Sequence, residues 1–145
     1  MANQGDVAKF YKRKQIESAT PGQLVVLLYE GAIEYLNRAE RALGQEGNSR
    51  YEHFHNNLIA CQNILTELSV SLDMELGGEI AENLYRLYDY MNYRLVDANM
   101  EKDLKGLHEV KELLSTLREA WIEVVKKETT SSSPGRSAMG LNLKG

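Results

Sequence analysis

Residues 51–72 read YEHFHNNLIACQNILTELSVSL and carry the clearest helical pattern in the chain. The apolar residues recur at alternating steps of three and four, the spacing of one buried face of an α-helix. The same spacing is typical of helices that pack in a left-handed bundle. The pattern therefore predicts one bundle helix whose buried stripe consists of Tyr51, Phe54, Leu58, Cys61, Leu65, Leu68 and Leu72.

The residues before this stretch predict two helix starts. Residues 20–23 read TPGQ, in which threonine can cap a helix, proline fits the first helical position, and glutamine can complete a capping box. The first helix then runs to about Leu43, and its buried face is Leu24, Val25, Leu28, Ala32, Tyr35, Leu36, Ala39 and Leu43. Ser49 followed by Glu52 predicts a second capping box, for a helix that reaches about Leu72.

Two more helices are predicted after this stretch. Gly77 and Gly78 break the chain before a third helix that ends around Asn99, and a fourth helix begins near Asp103. The stripe of the third helix is Ile80, Leu84, Leu87, Met91, Leu95 and Ala98. The stripe of the fourth helix is Leu107, Val110, Leu114, Leu117, Trp121 and Val124.

Four helices of similar length with short connections predict an all-α fold, an antiparallel up-down-up-down four-helix bundle. Residues 20–127 form this bundle, and residues 1–19 precede it as an extended, flexible segment. Residues 128–145 are polar and small, a composition that cannot offset chain entropy by burial, so we expect a disordered tail. A chain of 145 residues fits a single core.

Composition excludes several classes of function. The formal net charge of −4 removes the electrostatic attraction on which most nucleic-acid binders depend, so we expect no nucleic-acid partner. Cys61 is the single cysteine, which rules out an intrachain disulfide and favours a reducing compartment such as the cytoplasm. We expect neither a signal peptide nor direct membrane insertion, because no apolar run is long enough.

The residue types that carry chemistry are not grouped in any familiar pattern. His53 and His55 are two residues apart, which is roughly 200° of rotation on a helix, so their rings point away from each other. His108 is the only other histidine, and Cys61 lies in an apolar stripe where a thiol is usually inert. We therefore expect no catalytic residue, no metal and no cofactor.

Apolar side chains that the predicted core does not use are the candidate functional residues. Their number on three helices suggests grooves that could receive an amphipathic segment of a partner. Single exposed apolar residues are also normal on a surface, and a helical module that dimerises through the same face is an alternative. By helical phase the candidates on the helices are Val26, Leu27, Ile33, Ile59, Ile64, Tyr85, Tyr88, Tyr90, Tyr93 and Val96.

The N-terminal segment adds three more candidates. The stretch FYKRKQI, residues 10–16, holds Phe10, Tyr11 and Ile16 ahead of the first helix cap. Such a segment could lie over a groove when no partner is bound. Its alternative is an ordinary hydrophobic staple, in which Ile16 or Ala19 packs on the first helical turn.

Four motifs resemble those of a known family. They are LLYEGAI at residues 27–33, GGEIAENL at 77–84, LYDYM at 87–91 and REAW at 118–121. In this order and spacing, they make the chain similar to the FliS family of flagellin export chaperones, from about residue 10 to residue 127.

The resemblance implies a cytoplasmic four-helix chaperone with no enzyme activity and no cofactor. Such a protein binds the C-terminal region of flagellin one to one, prevents its premature polymerisation, and delivers it to the type III export gate of the flagellum for filament assembly. The free protein could form a weak homodimer. The N-terminal aromatic segment of the family corresponds to Phe10 and Tyr11 here, which we hypothesise cover a groove until flagellin binds.

Overall fold

The structure, a computed structural model, describes residues 13–130, with side chains through residue 128. Four long helices follow one another: α1 (Pro21–Leu43), α2 (Ser49–Val70), α3 (Met74–Glu101) and α4 (Lys105–Thr130). A short helical segment over residues 13–17, here called the N-terminal helical segment, precedes α1. The all-α prediction is confirmed.

The four helices form a closed antiparallel ring. Helix α1 packs against α2 and α4, and α3 packs against the same two helices. Direction follows from paired positions, because Glu40 bonds to His108 at the start of α4 whereas Glu30 bonds to Arg118 further along α4. The up-down-up-down arrangement predicted from the short connections is therefore the observed one.

Helix α1 starts as its sequence predicts. The Thr20 hydroxyl accepts a hydrogen bond from the backbone N–H of Gln23, and the Gln23 side chain accepts one from the N–H of Thr20. This reciprocal pair is the expected capping box, with Pro21 at the first helical position.

The start of α2 differs from the prediction. The residue in the cap position is Asn48, with helical backbone angles (φ −73°, ψ −26°) and no side-chain cap. A capping residue must be extended to turn its side chain toward the first free N–H groups, so the helical backbone here prevents capping. The capping box predicted from Ser49 and Glu52 does not form, because Ser49 is already the first helical residue.

Helix α3 begins before the glycine pair rather than after it. Asp73 caps the helix by accepting a hydrogen bond from the N–H of Leu76. Gly78 then interrupts the helix with a left-handed backbone (φ 51°, ψ −126°), where a side chain would be strained. The predicted break is thus a kink, and the buried face after it starts at Ala81, whereas Ile80 is exposed.

The core is a single cluster drawn from all four helices. Most of the predicted stripe residues of α2 and α4 are buried. The predicted face of α1 is rotated slightly, because Tyr29 is buried while Leu24 and Leu28 are only half-buried. Tyr51, predicted in the α2 stripe, is exposed and its ring lies against Arg50.

The chain ends differ from the predicted segments where the structure describes them. Residues 13–17 are helical, whereas an extended segment was expected. Helix α4 continues to Thr130, past the predicted tail boundary at residue 128. The rest of the predicted tail lies outside the described residues.

Candidate functional site

An apolar depression lies between α1 and α4 near the start of α1. Its volume is about 390 Å³, and its apolar wall consists of Val26 and Leu27 from α1 and Ile122 and Val125 from α4. The remaining lining residues are Gln15, Ser18, Ala19, Gln23, Glu30 and Lys126. The chain immediately before α1 therefore forms one border of this depression.

A second depression, of about 320 Å³, continues along the same pair of helices. Ile33 lines it together with Glu30 and Arg118, whose carboxylate and guanidinium groups pair at 2.6 Å. Both groups are partly exposed, so this ion pair contributes little to the stability of the fold. Its main effect is to hold the two side chains in place at the edge of the depression. We call the two depressions together the α1/α4 groove.

On the opposite side of the ring, α2 and α3 enclose a second pair of depressions. One, of about 450 Å³, is lined by Ile59, Val96 and Met100 among others. The other, of about 260 Å³, is lined by Val70 and Tyr85 and by the polar residues Thr66, Ser69, Asp89 and Asn92. We call these together the α2/α3 groove, which is apolar at both ends and polar between them.

The candidate residues therefore do not form one surface. Val26, Leu27 and Ile33 meet in the α1/α4 groove, and Ile59, Tyr85 and Val96 meet in the α2/α3 groove. Helical phase identified exposed faces of single helices, but which helix stands beside each face depends on the order of the ring.

The remaining described candidates lie elsewhere. Ile64 is half-buried, and its Cδ1 atom lies close to Gly31 of α1, so it helps to pack these two helices. Tyr93 and Ile16 are exposed and line neither groove. Phe10 and Tyr11 lie outside the described residues.

Tyr88 is a correction. We predicted a ring that flanks the core and contacts a partner, but Tyr88 is completely buried. Its hydroxyl forms a 2.5 Å hydrogen bond with the hydroxyl of Tyr29. The predicted stripe chose the neighbouring Leu87, which is half-buried, whereas Tyr88 meets the buried Tyr29 of α1. In this conformation the ring is inaccessible to a partner.

Tyr90 lies where α3 meets α4. Its hydroxyl donates a 2.8 Å hydrogen bond to Glu109, whose same oxygen accepts from Arg94. Hydrogen bonding to Tyr90, supported by Arg94, lowers the pKa of the Glu109 carboxyl, and the same bond raises the pKa of Tyr90. Tyr90 thus presents a half-exposed ring whose orientation is set by α4.

The described residues show no arrangement that suggests catalysis or metal binding. Burial raises the pKa of the Cys61 thiol to about 12, which keeps it protonated and unreactive. His55 bonds to Asn99 and His108 bonds to Glu40, on different pairs of helices. Within residues 13–130, no cluster of three or more histidine, cysteine, aspartate or glutamate side chains is close enough to hold a metal ion.

None of the described helices combines the length and apolar character that a membrane span requires.

Some apolar groove residues were missed from the sequence. Ile122 and Val125 of α4 line the α1/α4 groove, and Met100 lines the α2/α3 groove. Ile122 and Val125 are three residues apart and flank the Trp121 and Val124 stripe, so the same off-stripe criterion applied to α4 would have found them. Met100 lies near the end of α3, beyond the predicted end around Asn99, so it was not assigned to any face of the helix.

Comparison with known proteins gives consistent matches over most of the chain. The family model described as flagellar protein FliS matches residues 2–128. The flagellar secretion chaperone FliS of Salmonella typhimurium is 38% identical over 135 residues, which cover 86% of this chain and 94% of that protein. The flagellar secretion chaperone FliS of Bacillus subtilis is 34% identical over 118 residues, or 81% of this chain and 85% of that protein.

Proposed function

The chain belongs to the FliS family of flagellar secretion chaperones, and on that premise we propose that it binds the C-terminal region of flagellin, prevents its premature polymerisation and delivers it to the flagellar type III export gate. The protein is a chaperone rather than an enzyme. We place it in the cytoplasm, as the single cysteine Cys61 first suggested.

The α1/α4 groove is the observation that carries this proposal. It offers a continuous apolar wall of Val26, Leu27, Ile122 and Val125 between two helices of a rigid bundle. An amphipathic helix of a partner buries its apolar face in a groove of this kind. We therefore propose that the client offers an apolar helical face, which would otherwise be free to associate with other copies of the client.

The position of the two grooves suggests how a flexible client binds. They lie on opposite sides of the ring, so a single segment that contacts both must pass around the bundle. A chain that folds on binding loses conformational entropy, and a large contact area is needed to offset it. We therefore propose that flagellin wraps around the chaperone, one to one, and does not enter its core.

The N-terminal helical segment has a role in this proposal. Gln15 of this segment borders the α1/α4 groove, as do Ser18 and Ala19, which follow it. A client helix that fills the groove meets this border directly. We propose that the segment moves when flagellin binds, together with Phe10 and Tyr11, which precede it in the sequence and are expected to lie over a groove beforehand.

Calorimetry on matched variants tests the proposal. A peptide covering the last helical segment of flagellin from the same source is titrated into the full chain at several temperatures. We expect one-to-one binding with a negative heat-capacity change, because apolar surface is buried. Leu27→Asp places a charge in the groove and should weaken binding at least about tenfold, the equivalent of about 1.4 kcal/mol.

Leu76→Asp is the matched control. Leu76 is an exposed leucine that lines neither groove, so the same chemical change there should leave the affinity unchanged. Circular dichroism melting of both variants checks that the bundle is intact. If Leu27→Asp melts like the wild type and also binds the peptide like the wild type, the α1/α4 groove is not the flagellin site.

A further inference from the structure

The end of the bundle where α2 joins α3 exposes a group of large apolar side chains. Val70 and Leu76 are 79% and 71% exposed, and Ile80 and Met74 are 51% and 46% exposed. Apart from Val70, they line neither groove. Large apolar side chains grouped in this way are typical of a contact surface. We call the surface formed by these four residues the α2–α3 patch.

The surroundings of the α2–α3 patch are acidic. No lysine or arginine occurs in residues 51–85. Glu75 and Glu79 are exposed, and neither forms an ion pair within the residues that the structure describes. The carboxylates nearest to the patch in the sequence are Glu67, Asp73, Glu75, Glu79 and Glu82. A segment that fits this surface must therefore combine apolar side chains with positive charge.

The residues after α4 have this chemistry. Residues 131–145 read SSSPGRSAMGLNLKG, and they include Arg136 and Lys144 but no aspartate or glutamate. Three large apolar residues alternate with other residues in this segment, a spacing that places them on one face of an extended chain: Met139, Leu141 and Leu143. The match to the family model ends at residue 128, so the segment is a feature of this chain and not of the family pattern.

Helix α4 brings this segment to the α2–α3 patch. Arg94 of α3 pairs with Glu109 of α4 at 2.8 Å. The two helices are antiparallel, and Ile80 lies as many residues before Arg94 as Glu123 lies after Glu109. Both helices rise by the same distance per residue, so Ile80 and Glu123 are at about the same level of the bundle. Helix α4 continues beyond this level to Thr130, and residues 131–145 therefore begin beside the start of α3.

The segment is long enough to cover the patch. An extended chain spans about 3.3 Å per residue, so the residues from Thr130 to Leu141 can span roughly 30 Å. Neighbouring helices lie only about 8–10 Å apart, so this length crosses α3 and reaches Val70 at the end of α2. The other basic and apolar stretch of the chain is residues 9–16. Its described part lies beside the α1/α4 groove, and α1 and α3 are not neighbours in the ring.

We propose that residues 131–145 bind the α2–α3 patch of their own chain. Leu141 and Leu143 cover its apolar side chains, and the two basic residues of the segment lie beside Glu75 and Glu79. The contact joins the end of α4 to the connection between α2 and α3, and it removes exposed apolar surface from water. It does not rest on the proposed function, because it involves no residue of the α1/α4 groove.

Paramagnetic relaxation in the full chain tests this contact. Asn142→Cys places a thiol between the two leucines, on the face of an extended chain that points away from the patch. Cys61 is buried and protonated, so a nitroxide reagent reacts at the new thiol alone. The nitroxide should broaden the backbone amide signals of residues 74–80. The signals of residues 44–48, at the opposite end of the bundle, should keep their intensity.

Two variants of the labelled chain test the apolar part of the contact. Leu141→Ser with Leu143→Ser removes the apolar side chains without a change of charge, so the broadening of residues 74–80 should be lost. Leu141→Met with Leu143→Met is the matched control, because it keeps the apolar character, and it should retain the broadening. Neither change alters a residue of the bundle. Circular dichroism checks that the helical signal is the same in both variants.

Charge reversal tests the electrostatic part of the contact. Glu75→Lys with Glu79→Lys brings like charges together, so the broadening should be weaker. Adding Arg136→Glu and Lys144→Glu to the same chain reverses the charge on both sides and should restore it.

A second charge reversal is the control. Glu52→Lys with Glu112→Lys makes the same change of net charge at exposed positions away from the patch. It should leave the broadening unchanged. Raising the salt concentration should weaken the contact in the labelled chain, because the screening length falls from about 10 Å at 0.1 M to about 3 Å at 1 M.

Four results would overturn the proposal. The first is equal broadening of residues 74–80 and residues 44–48, or none at either end. The second is full broadening after both leucines are replaced by serine. The third is full broadening in the chain with Glu75→Lys and Glu79→Lys. The fourth is broadening that appears when a labelled chain is mixed with an isotope-enriched chain that carries no nitroxide, which would place the segment on another copy.

Discussion

At the scale of single residues, the most informative contact is the hydroxyl pair of Tyr29 and Tyr88. The two oxygens are 2.5 Å apart, with both residues completely buried. Tyr29 belongs to α1 and Tyr88 to α3, which lie diagonally across the ring. Burial raises the pKa of Tyr29 to about 12 and also raises that of Tyr88, so both remain protonated. A satisfied polar pair at this position favours a single register of the two helices.

Removing one hydroxyl tests this role. Tyr88→Phe leaves the Tyr29 hydroxyl without this partner in the core, which should lower the free energy of unfolding by about 1–2 kcal/mol. Urea denaturation measures the change, and Tyr93→Phe at an exposed position is the control with no expected effect. Unchanged stability together with weaker flagellin binding would instead return Tyr88 to the partner surface that helical phase indicated.

At the scale of helices, the starts of α1 and α2 show how far local sequence signals extend. Both have a threonine or serine followed three residues later by glutamine or glutamate. Only Thr20 has the extended backbone (φ −68°, ψ 163°) that turns its side chain toward the free N–H groups. The chain before α2 is already helical at Asn48. The serine and glutamate that follow therefore do not form a capping box.

Because α1 has a side-chain cap and α2 has none, we expect unequal effects of two alanine substitutions at their starts. Thr20→Ala removes the capping box of α1 and should cost about 1 kcal/mol of stability. Asn48→Ala, at a cap position with no side-chain hydrogen bond, should change stability by much less. Chemical denaturation of the two variants in parallel gives the comparison. Equal losses would mean that Asn48 caps α2 in solution.

At the scale of the whole molecule, one core joins all four helices, and the grooves remain on its outer sides. Trp121, the single tryptophan, is 1% exposed in this core, so its fluorescence reports on tertiary packing. Helix α1 packs against both of its neighbours, so neither half of the ring has a core of its own. This arrangement is typical of a domain that unfolds as one unit.

Cooperative unfolding is a direct expectation of this arrangement. The midpoints of urea denaturation measured by Trp121 fluorescence and by far-ultraviolet circular dichroism should coincide. Circular dichroism detects all helices, whereas the fluorescence detects only the surroundings of α4. A fluorescence transition that clearly precedes the loss of helix would show that the ring opens before its helices melt.

Sequence patterns predicted the helices, their approximate ends and most of the buried residues, because the three-and-four spacing of α2 and α4 depends only on the geometry of a helix. The four motifs also indicated the family, which the comparisons confirm. The flagellin site within the family stays a proposal, and its candidate residues Val26, Leu27 and Ile33, which are half-buried, stay predictions.

Two features of the protein depend on the folded structure and are absent from the pattern of any single helix: the exact buried face of α3 and the pairing of helices that forms each groove. The predicted stripe of α3 contained Ile80 and Leu87, whereas the structure buries their neighbours Ala81 and Tyr88. Neighbouring positions on one helix border the same face, so only the packing of α3 in the ring, where Tyr88 meets Tyr29 of α1, decides which of them is buried. The grooves each need two helices, so Val26 meets Ile122, and Ile59 meets Val96, only once the ring is closed. The apolar faces follow from the sequence alone, because side-chain spacing is a local property. Which faces meet follows only from the folded structure, because it depends on the packing of helices that are distant in the chain.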